Sequence, residues 1–270
     1  MLYADAIYAL EHTDGYAVPF SLSNEELTSI RTIINKHLMD TIKMLHPDHP
    51  ELKEEITINK YHEISSSIHH KELMRMKHRN LNEDDIAYIQ EMFFLIRLME
   101  WFKDSTIIDP LGYSINIRIA RPHEKLDTFP AHADAWYFSN YKEIADVALR
   151  YSGEKCTQLE WTKDDHNGVN FDVIHVWIPI YSELGLNGLL VAPGSHLKSW
   201  NYRKVKNGKF SSKFPKFQLS DGEDVVLKLL DVDPGDVVIF HDNLIHQGAL
   251  NKGFETRVSL LFNIHIIDEE

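Results

Sequence analysis

The chain has 270 residues, of which 43% are hydrophobic, and this fits one large domain or two small ones with a sizeable core. The formal net charge of −13 argues against a nucleic-acid-binding surface, which needs basic patches to neutralise phosphate. The single cysteine excludes a disulfide within the chain and indicates a reducing, cytoplasmic setting. No apolar run of about 18 residues occurs, so we expect no membrane-spanning helix and no membrane partner.

The first 110 residues are predicted to be mainly helical. Ser23 and Glu26 have the spacing of a capping box, and apolar residues then recur at helical spacing. A second helical pattern covers residues 51–76, and a third begins near Asn82. Each of these helices would have one apolar face, which must be covered by another layer.

Short strands are predicted after the helices. Residues 113–119 alternate between apolar and polar, as a half-buried strand does. Further strand-like runs, separated by Gly, Pro, Asn and Asp, are 173–180, 189–191, 225–230, 236–240 and 258–267. Many short strands after a block of helices predict an α+β protein, in which a jelly roll or related antiparallel barrel is backed by the N-terminal helices.

The connection from about residue 138 to residue 170 is long, and we expect a short helix at 141–151 within it. Loops of this size often serve as lids or substrate-binding elements, although a decorated surface loop is an equal alternative. We therefore predict one domain over residues 1–270. In it, residues 1–110 are mainly helical, and residues 111–270 form the jelly-roll core with the inserted loop.

A metal site is suggested by His132 and Asp134, because a strand would point side chains two residues apart to the same face. A facial site takes three protein ligands, so a third ligand is expected from a separate strand. His246, just past the end of an apolar run, is the main candidate, and His241 competes with it. The spacing to Arg257 favours His246.

An anion receptor is suggested by Arg257 and Ser259, which would share one face of a strand. A guanidinium binds a carboxylate in bidentate fashion, and the hydroxyl adds a donor. A metal beside such a receptor is what a dicarboxylic 2-oxoacid requires.

Several neighbouring side chains have two open interpretations. One of Arg118 and Arg121 could contact the cosubstrate or substrate, and the alternative is that they form surface ion pairs. Trp136 and Tyr137 either form a wall of the substrate pocket or pack in the core. His175 falls in a strand pattern and is predicted to be a sheet residue rather than a ligand.

The ordered set of segments resembles the iron(II)- and 2-oxoglutarate-dependent oxygenases. The set includes His132-x-Asp134, His246 and Arg257-x-Ser259. Within that superfamily, further segments are similar to the phytanoyl-CoA dioxygenase group: Trp177-Ile178-Pro179-Ile180, Asn187-Gly188-Leu189-Leu190-Val191, Pro193-Gly194-Ser195-His196 and Gly235-Asp236-Val237-Val238-Ile239-Phe240-His241. The resemblance covers roughly residues 113–267, and the helical N-terminal third has no matching motif.

The resemblance implies a double-stranded β-helix, the cupin-like jelly-roll barrel of this superfamily. It implies that the ligands of iron(II) are His132, Asp134 and His246, and that Arg257 and Ser259 bind the distal carboxylate of the cosubstrate 2-oxoglutarate. Trp177 would line the cosubstrate pocket. The implied enzyme is a dioxygenase that uses dioxygen to hydroxylate an unactivated C–H bond of a small-molecule metabolite or natural-product intermediate.

Two positions bear on details of this chemistry. Halogenases of the superfamily usually lack the carboxylate ligand, so Asp134 predicts hydroxylation, desaturation or ring closure rather than chlorination. The group often has a hydroxyl residue two positions after the distal histidine, where this chain has Gly248. Thr256 is a candidate to supply the missing hydrogen bond.

Two other classes of function remain as alternatives. One is a cupin-like metalloenzyme that does not use 2-oxoglutarate, such as an isomerase; Arg257 and Ser259 argue against it. The other is a catalytically silent binding protein, against which the complete set of candidate ligands argues. The sequence does not indicate the oligomeric state.

Overall fold

The computed structural model describes residues 3–47, 56–66, 70–102, 106–108, 115–138, 172–205 and 216–267. The predicted helix at 141–151, and all of the inserted loop beyond residue 138, lie outside these ranges. The described chain is a mixed helical and sheet structure with antiparallel sheets, which confirms the predicted α+β class.

All but one of the described α-helices fall within the first 102 residues. They are α1 (Tyr3–His12), α2 (Asn24–Leu45), α3 (Tyr61–Ile64), α4 (His70–Leu73), α5 (Met76–Arg79), α6 (Glu83–Gln90), α7 (Phe93–Met99) and α8 (Ala135–Phe138), with 3-10 turns at Ile58–Lys60, Glu100–Phe102, Lys125–Asp127 and Ser195–Leu197. The predicted capping box of α2 is present. The Ser23 hydroxyl accepts the Glu26 N–H at 3.2 Å, and the Glu26 carboxylate accepts the Ser23 N–H at 2.9 Å.

The helical pattern predicted for residues 51–76 is wrong for its described part, which consists of short turns and single-turn helices. Main-chain donors in this region bond to side chains from elsewhere in the fold. The Ile58 N–H donates to the Asn35 side chain at 2.8 Å, and the His62 N–H donates to the Thr256 hydroxyl at 3.1 Å. These tertiary bonds replace the i to i−4 bonds that a continuous helix would require.

The strands form two antiparallel sheets and one ribbon. They are β1 (Tyr16–Ser21), β2 (Thr106–Ile108), β3 (Asn116–Ala120), β4 (Asp172–Tyr181), β5 (Leu189–Val191), β6 (Tyr202–Val205), β7 (Lys216–Leu219), β8 (Lys228–Leu229), β9 (Asp236–His241), β10 (His246–Gly248) and β11 (Arg257–Ile267). The major sheet has the order β1-β9-β4-β11-β2, with β3 also on β11, and the minor sheet has the order β10-β5-β8. The ribbon is β6-β7. Within the described ranges, these sheets do not join into a closed barrel.

Strand β1 corrects the prediction that the N-terminal region is helical throughout. It pairs with β9 at the edge of the major sheet, and its register shifts between Ala17 and Phe20, around Pro19. Proline lacks an N–H donor and is tolerated at sheet edges and bulges. Pro19 therefore makes β1 hard to predict from the sequence, and it is also compatible with the edge position of this strand.

The major sheet has one face against the helices and one face against the minor sheet. On β4, Val176, Ile178 and Ile180 belong to the large apolar cluster that includes residues of α2 and α7. Trp177, on the opposite face, belongs to a second cluster with Leu189 of the minor sheet. We call the region between the inner face of the major sheet and the minor sheet the inter-sheet space.

The described helices are all too short or too polar to cross a membrane.

Candidate metal centre

His132 and His246 lie side by side at the edge of the minor sheet. The His132 N–H donates to the His246 carbonyl at 3.1 Å, and the His246 N–H donates to the His132 carbonyl at 2.9 Å. This reciprocal pair extends the antiparallel ladder of the minor sheet beyond β10. The two imidazole centroids are 4.6 Å apart, so two positions distant in the sequence present their rings to one point.

Both imidazoles have Nδ1 bonded to the main chain and Nε2 near the Asp134 carboxylate. His132 Nδ1 is 2.7 Å from the Pro130 carbonyl oxygen, and His246 Nδ1 is 3.0 Å from the Leu244 carbonyl oxygen. Because a carbonyl only accepts, each Nδ1 must be the protonated nitrogen, and each Nε2 keeps its lone pair. This tautomer is the one that a metal-binding imidazole needs.

The Asp134 carboxylate completes the cluster. Its Oδ1 is 3.5 Å from His132 Nε2, and its Oδ2 is 3.6 Å from His246 Nε2. One ligand atom from each of the three residues lies within 4.8 Å of the other two. Two neutral imidazoles and one carboxylate at these distances suit a divalent transition metal, so the donor set fits the implied iron(II).

His241, the competing candidate, lies outside this cluster. Its Nδ1 is 2.9 Å from an oxygen of Asp242 and accepts the N–H of Asn243 at 3.0 Å. Its ring is next to that of His196, 5.3 Å away between centroids. Of the two candidates, His246 is the one that lies in the described cluster.

The electrostatics of the cluster favour metal binding at neutral pH. Burial lowers the pKa of His246 to about 4, so its imidazole is neutral and does not need to lose a proton. For Asp134, burial alone would raise the pKa, but the imidazoles of His175, His246 and His132 hold it well below its usual range. The aspartate is therefore ionised whenever the histidines can bind a metal.

His175 is a residue near the centre that sequence reasoning did not assign to the site. Its Nδ1 lies 3.2 Å from Asp134 Oδ2, and its ring stacks on Phe240 with centroids 5.1 Å apart. The residue is 1% exposed and lies within β4, so the prediction that it belongs to a strand is confirmed. A signal existed in the sequence, because His175 and Trp177 are two apart and therefore share the inner face of β4.

Arg257 projects into the inter-sheet space beside the cluster. It is buried, and its Nη1 donates to the Gly188 carbonyl at 2.7 Å, while its buried Nε has no hydrogen-bond partner in the described structure. Gly188 has a φ of +142°, a conformation that favours glycine, and this turn directs the carbonyl. Burial lowers the pKa of Arg257 to about 10, which still leaves the guanidinium charged at neutral pH.

Ser259 and Trp177 are joined on the same inner face. The Trp177 indole N–H donates to the Ser259 hydroxyl at 3.0 Å, so the hydroxyl hydrogen of Ser259 is left to donate to a ligand. Both side chains are buried. The suggestion that Thr256 supplies a hydrogen bond to the cosubstrate is wrong, because its hydroxyl lies 3.0 Å from His62 Nδ1 and accepts the His62 N–H.

The two arginines near the end of β3 differ in their partners. Arg121 forms a bidentate ion pair with the buried Asp127 carboxylate, with nitrogen–oxygen distances of 2.8 and 2.9 Å. Arg118 has no such pair among the described residues.

Of the two aromatic candidates, Trp136 stacks on Tyr202 in an apolar cluster, whereas Tyr137 packs edge-on against the His132 ring, 5.5 Å away.

Comparisons with known proteins bear on this site. The sequence profile of the family described as Phytanoyl-CoA dioxygenase (PhyH) matches residues 12–259. No curated protein matches the chain.

Solved structures with a similar fold include the non-heme monooxygenase ThoJ in its apo form, at 13% identity and a TM-score of 0.52, covering 98% of this chain and 77% of ThoJ. AviO1 from Streptomyces viridochromogenes Tue57 has 14% identity and a TM-score of 0.51, covering 99% and 95%. EctD from S. alaskensis, solved with 2-oxoglutarate and 5-hydroxyectoine, has 13% identity and a TM-score of 0.52, covering 98% and 76%. At these identities, the structural likeness speaks for the fold alone.

The profile spans both the helical region and the sheets that carry the cluster. It therefore includes the N-terminal third, for which the sequence offered no motif. The chain belongs to the phytanoyl-CoA dioxygenase family and is an iron(II)- and 2-oxoglutarate-dependent oxygenase.

Proposed function

We propose that His132, Asp134 and His246 bind iron(II) and that Arg257 and Ser259 bind the distal carboxylate of 2-oxoglutarate. The observation that carries the proposal is the facing of two Nε2 lone pairs and one carboxylate at the edge of the minor sheet. Three protein ligands on one side leave the remaining coordination positions open for cosubstrate and dioxygen. Trp177 supports the receptor by fixing the Ser259 hydroxyl.

Iron bound by these residues, with 2-oxoglutarate and dioxygen, would supply oxidative decarboxylation to succinate and carbon dioxide and the oxidation of a substrate C–H bond. The chain contributes positioning and exclusion of water. Asp134 occupies a ligand position that a halide would otherwise take, so the proposed outcome is hydroxylation, or desaturation or ring closure, rather than chlorination. The buried guanidinium of Arg257 orients the cosubstrate through a charge-assisted, bidentate contact.

The proposed substrate is a small-molecule metabolite or natural-product intermediate. ThoJ, whose fold is similar, is described as a non-heme monooxygenase, and EctD was solved with the small molecule 5-hydroxyectoine. The negative net charge of this chain disfavours a nucleic-acid partner. A single domain and a cytoplasmic location also stay as predictions from the sequence.

The test is an anaerobic titration of the metal-free protein with iron(II) in the presence of 2-oxoglutarate, followed by the weak visible charge-transfer band. His246→Ala removes a ligand and should weaken iron binding by more than about 100-fold, since loss of a mere supporting contact costs 10- to 100-fold. The matched control is His241→Ala, the neighbouring histidine outside the cluster, which should retain the band.

Succinate release under air distinguishes the proposed oxygenase from the alternative, a metalloenzyme that does not use 2-oxoglutarate. The proposal requires succinate that depends on iron and falls sharply in Arg257→Gln. A band that survives His246→Ala, or that is lost in His241→Ala, would contradict the ligand assignment. Metal binding without any effect of 2-oxoglutarate on the spectrum would favour the competing enzyme.

A further inference from the structure

Arg118 is a charged side chain on the inner face of the major sheet. It takes no part in the proposed contacts with iron or with the cosubstrate. It lies on β3 directly opposite Ser259 of β11 in the antiparallel register. Directly opposed residues of an antiparallel pair point to the same side of the sheet. Arg118 therefore extends into the inter-sheet space on the same side as Ser259 and Trp177.

The guanidinium of Arg118 has no partner within the described ranges. Among the described residues, no carboxylate oxygen lies within 4 Å of it and no main-chain or side-chain atom forms a hydrogen bond with it, whereas Arg121, three residues along, is bound by Asp127. Arg118 is only partly exposed, so bulk water does not fully replace a partner. A poorly hydrated cation without a counter-charge is costly unless a ligand pairs with it.

Two further guanidiniums lie close to Arg118. Burial and the charge of Arg118 lower the pKa of Arg79, on α5, to about 9, and the same two causes lower the pKa of Arg257 to about 10. Both remain protonated at neutral pH, so each of them repels Arg118. The Asp134 carboxylate and the Tyr137 hydroxyl are the nearby described groups that favour the charged form of Arg118.

With iron(II) and 2-oxoglutarate bound, the site would still have an excess of positive charge. Iron(II) and the 2-oxoglutarate dianion cancel each other, and the Asp134 carboxylate offsets one of the three guanidiniums. Asp127, which also lies near Arg257, is already bonded to Arg121 and His70. Arg257 already has the distal carboxylate as its proposed partner and Asp134 is assigned to the metal, so Arg118 keeps no counter-charge of its own among the described residues.

We propose that Arg118 binds an oxyanion of the primary substrate, so that the enzyme selects substrates with a carboxylate, phosphate or sulfate group near the oxidised C–H bond. The inference rests on the proposed function and adds the substrate class. A planar guanidinium pairs with a carboxylate through two parallel hydrogen bonds, which fixes the orientation as well as the distance of the bound molecule. Tyr137, next to His132, is placed to contact the same molecule.

The first arm of the test asks whether Arg118 serves the cosubstrate instead. The affinity for 2-oxoglutarate is measured anaerobically from the iron charge-transfer band in wild type, Arg118→Gln, Arg257→Gln and the exposed control Arg203→Gln. We expect Arg118→Gln and Arg203→Gln to stay within about threefold of wild type, because one charge is removed in each without a cosubstrate contact. Arg257→Gln should lose at least about 100-fold. A loss in Arg118→Gln comparable to that in Arg257→Gln would overturn the inference, because Arg118 would then belong to the cosubstrate.

The second arm reads the substrate class directly. Two pools of metabolites are incubated with the holoenzyme, one of compounds with a carboxylate, phosphate or sulfate group and one of the matched methyl esters or amides, and products with one added oxygen are found by mass spectrometry. We expect products from the anionic pool, and a KM raised about 10- to 100-fold in Arg118→Gln, with partial rescue in Arg118→Lys. Products from the neutral pool at equal efficiency, or a KM unchanged by Arg118→Gln, would overturn the inference while leaving the oxygenase intact.

A third arm separates a binding role from a structural one. Removal of an unpaired charge that repels Arg79 and Arg257 should leave the thermal midpoint of the apo Arg118→Gln protein equal to or above that of wild type. A fall of several degrees would indicate a structural ion pair and would contradict the inference. Failure of the proposed function looks different: no charge-transfer band and no succinate in wild type, whatever the compound.

Discussion

The glycine at position 248 offers a direct test of the cosubstrate receptor, because the chain lacks a hydroxyl group there. A Cβ built at Gly248 would lie 3.6 Å from both terminal nitrogens of Arg257, which is ordinary van der Waals contact. The residue is part of β10, opposite Leu189, and its φ is not in the left-handed region. Gly248→Ser is therefore accommodated without strain, and its hydroxyl is next to the guanidinium that is proposed to bind the distal carboxylate of 2-oxoglutarate.

The expected gain follows from one added hydrogen bond to a charged acceptor. Such a bond contributes about 1.5–3 kcal/mol, and the lower end is appropriate because the serine must be ordered. About 1.4 kcal/mol corresponds to a tenfold change in affinity, so we expect Gly248→Ser to bind 2-oxoglutarate about tenfold more tightly than wild type. The matched control is Gly248→Ala, which adds the Cβ without the hydroxyl and should change the affinity less than threefold.

The assay is the anaerobic titration of the iron-loaded protein with 2-oxoglutarate, read from the visible charge-transfer band. Thermal midpoints of both variants should equal or exceed that of wild type, since glycine is unfavourable in a strand. If serine and alanine behave alike, or if serine weakens binding, the distal carboxylate does not lie at Arg257, and the receptor assignment is refuted.

Two predictions concern stability. Asn251→Asp should lower the free energy of unfolding by about 3 kcal/mol in urea titrations, because the buried amide donates to the carbonyls of Ala120 and Glu255 and a carboxylate cannot; an unchanged midpoint would show that these bonds contribute nothing. Asp127→Asn should cost about 2 kcal/mol at pH 7, since it removes charge-assisted hydrogen bonds from the half-buried Arg121 guanidinium to a buried carboxylate. Burial opposes ionisation of Asp127, but its hydrogen bonds hold the pKa well below the ordinary value, so this stabilisation is present above about pH 4 and is lost as the pH falls further. The difference from wild type should therefore shrink between pH 4 and pH 2, whereas Asp221→Asn, in an exposed ion pair, should cost less than about 1 kcal/mol at any pH.

The parts of the site that the sequence predicted are those with a local pattern. His132 and Asp134 are two residues apart, and His246 follows the apolar run that forms β9, so period-two alternation and a strand end made them candidate ligands, and the resemblance to the oxygenase family implied that the three come together. The capping box at Ser23 is also local and was recovered. The antiparallel jelly-roll class followed from the succession of short strands, because each is bounded by turn-forming residues.

The parts that the sequence could not predict depend on how distant strands pair. Arg118 lies opposite Ser259 only because β3 and β11 adopt one particular register, and a shift by one residue would turn it away from the inter-sheet space. His175 contacts Asp134 through the packing of β4 against a segment that precedes it by some forty positions. Strand β1 was missed because Pro19 reads as a strand breaker until its edge position is known.

The reciprocal main-chain bonds between His132 and His246 have a consequence for how the enzyme gains and loses its metal. The two imidazoles are neighbours only while this last rung of the minor-sheet ladder is closed. Opening of that rung alone, with the apolar clusters intact, would separate the donor atoms and abolish the chelate. Iron release would therefore need only local opening at one sheet edge, and a bound ion would hold together two stretches of chain that are joined here by these two hydrogen bonds and by the bond from the Ala135 N–H to the Asp242 carbonyl.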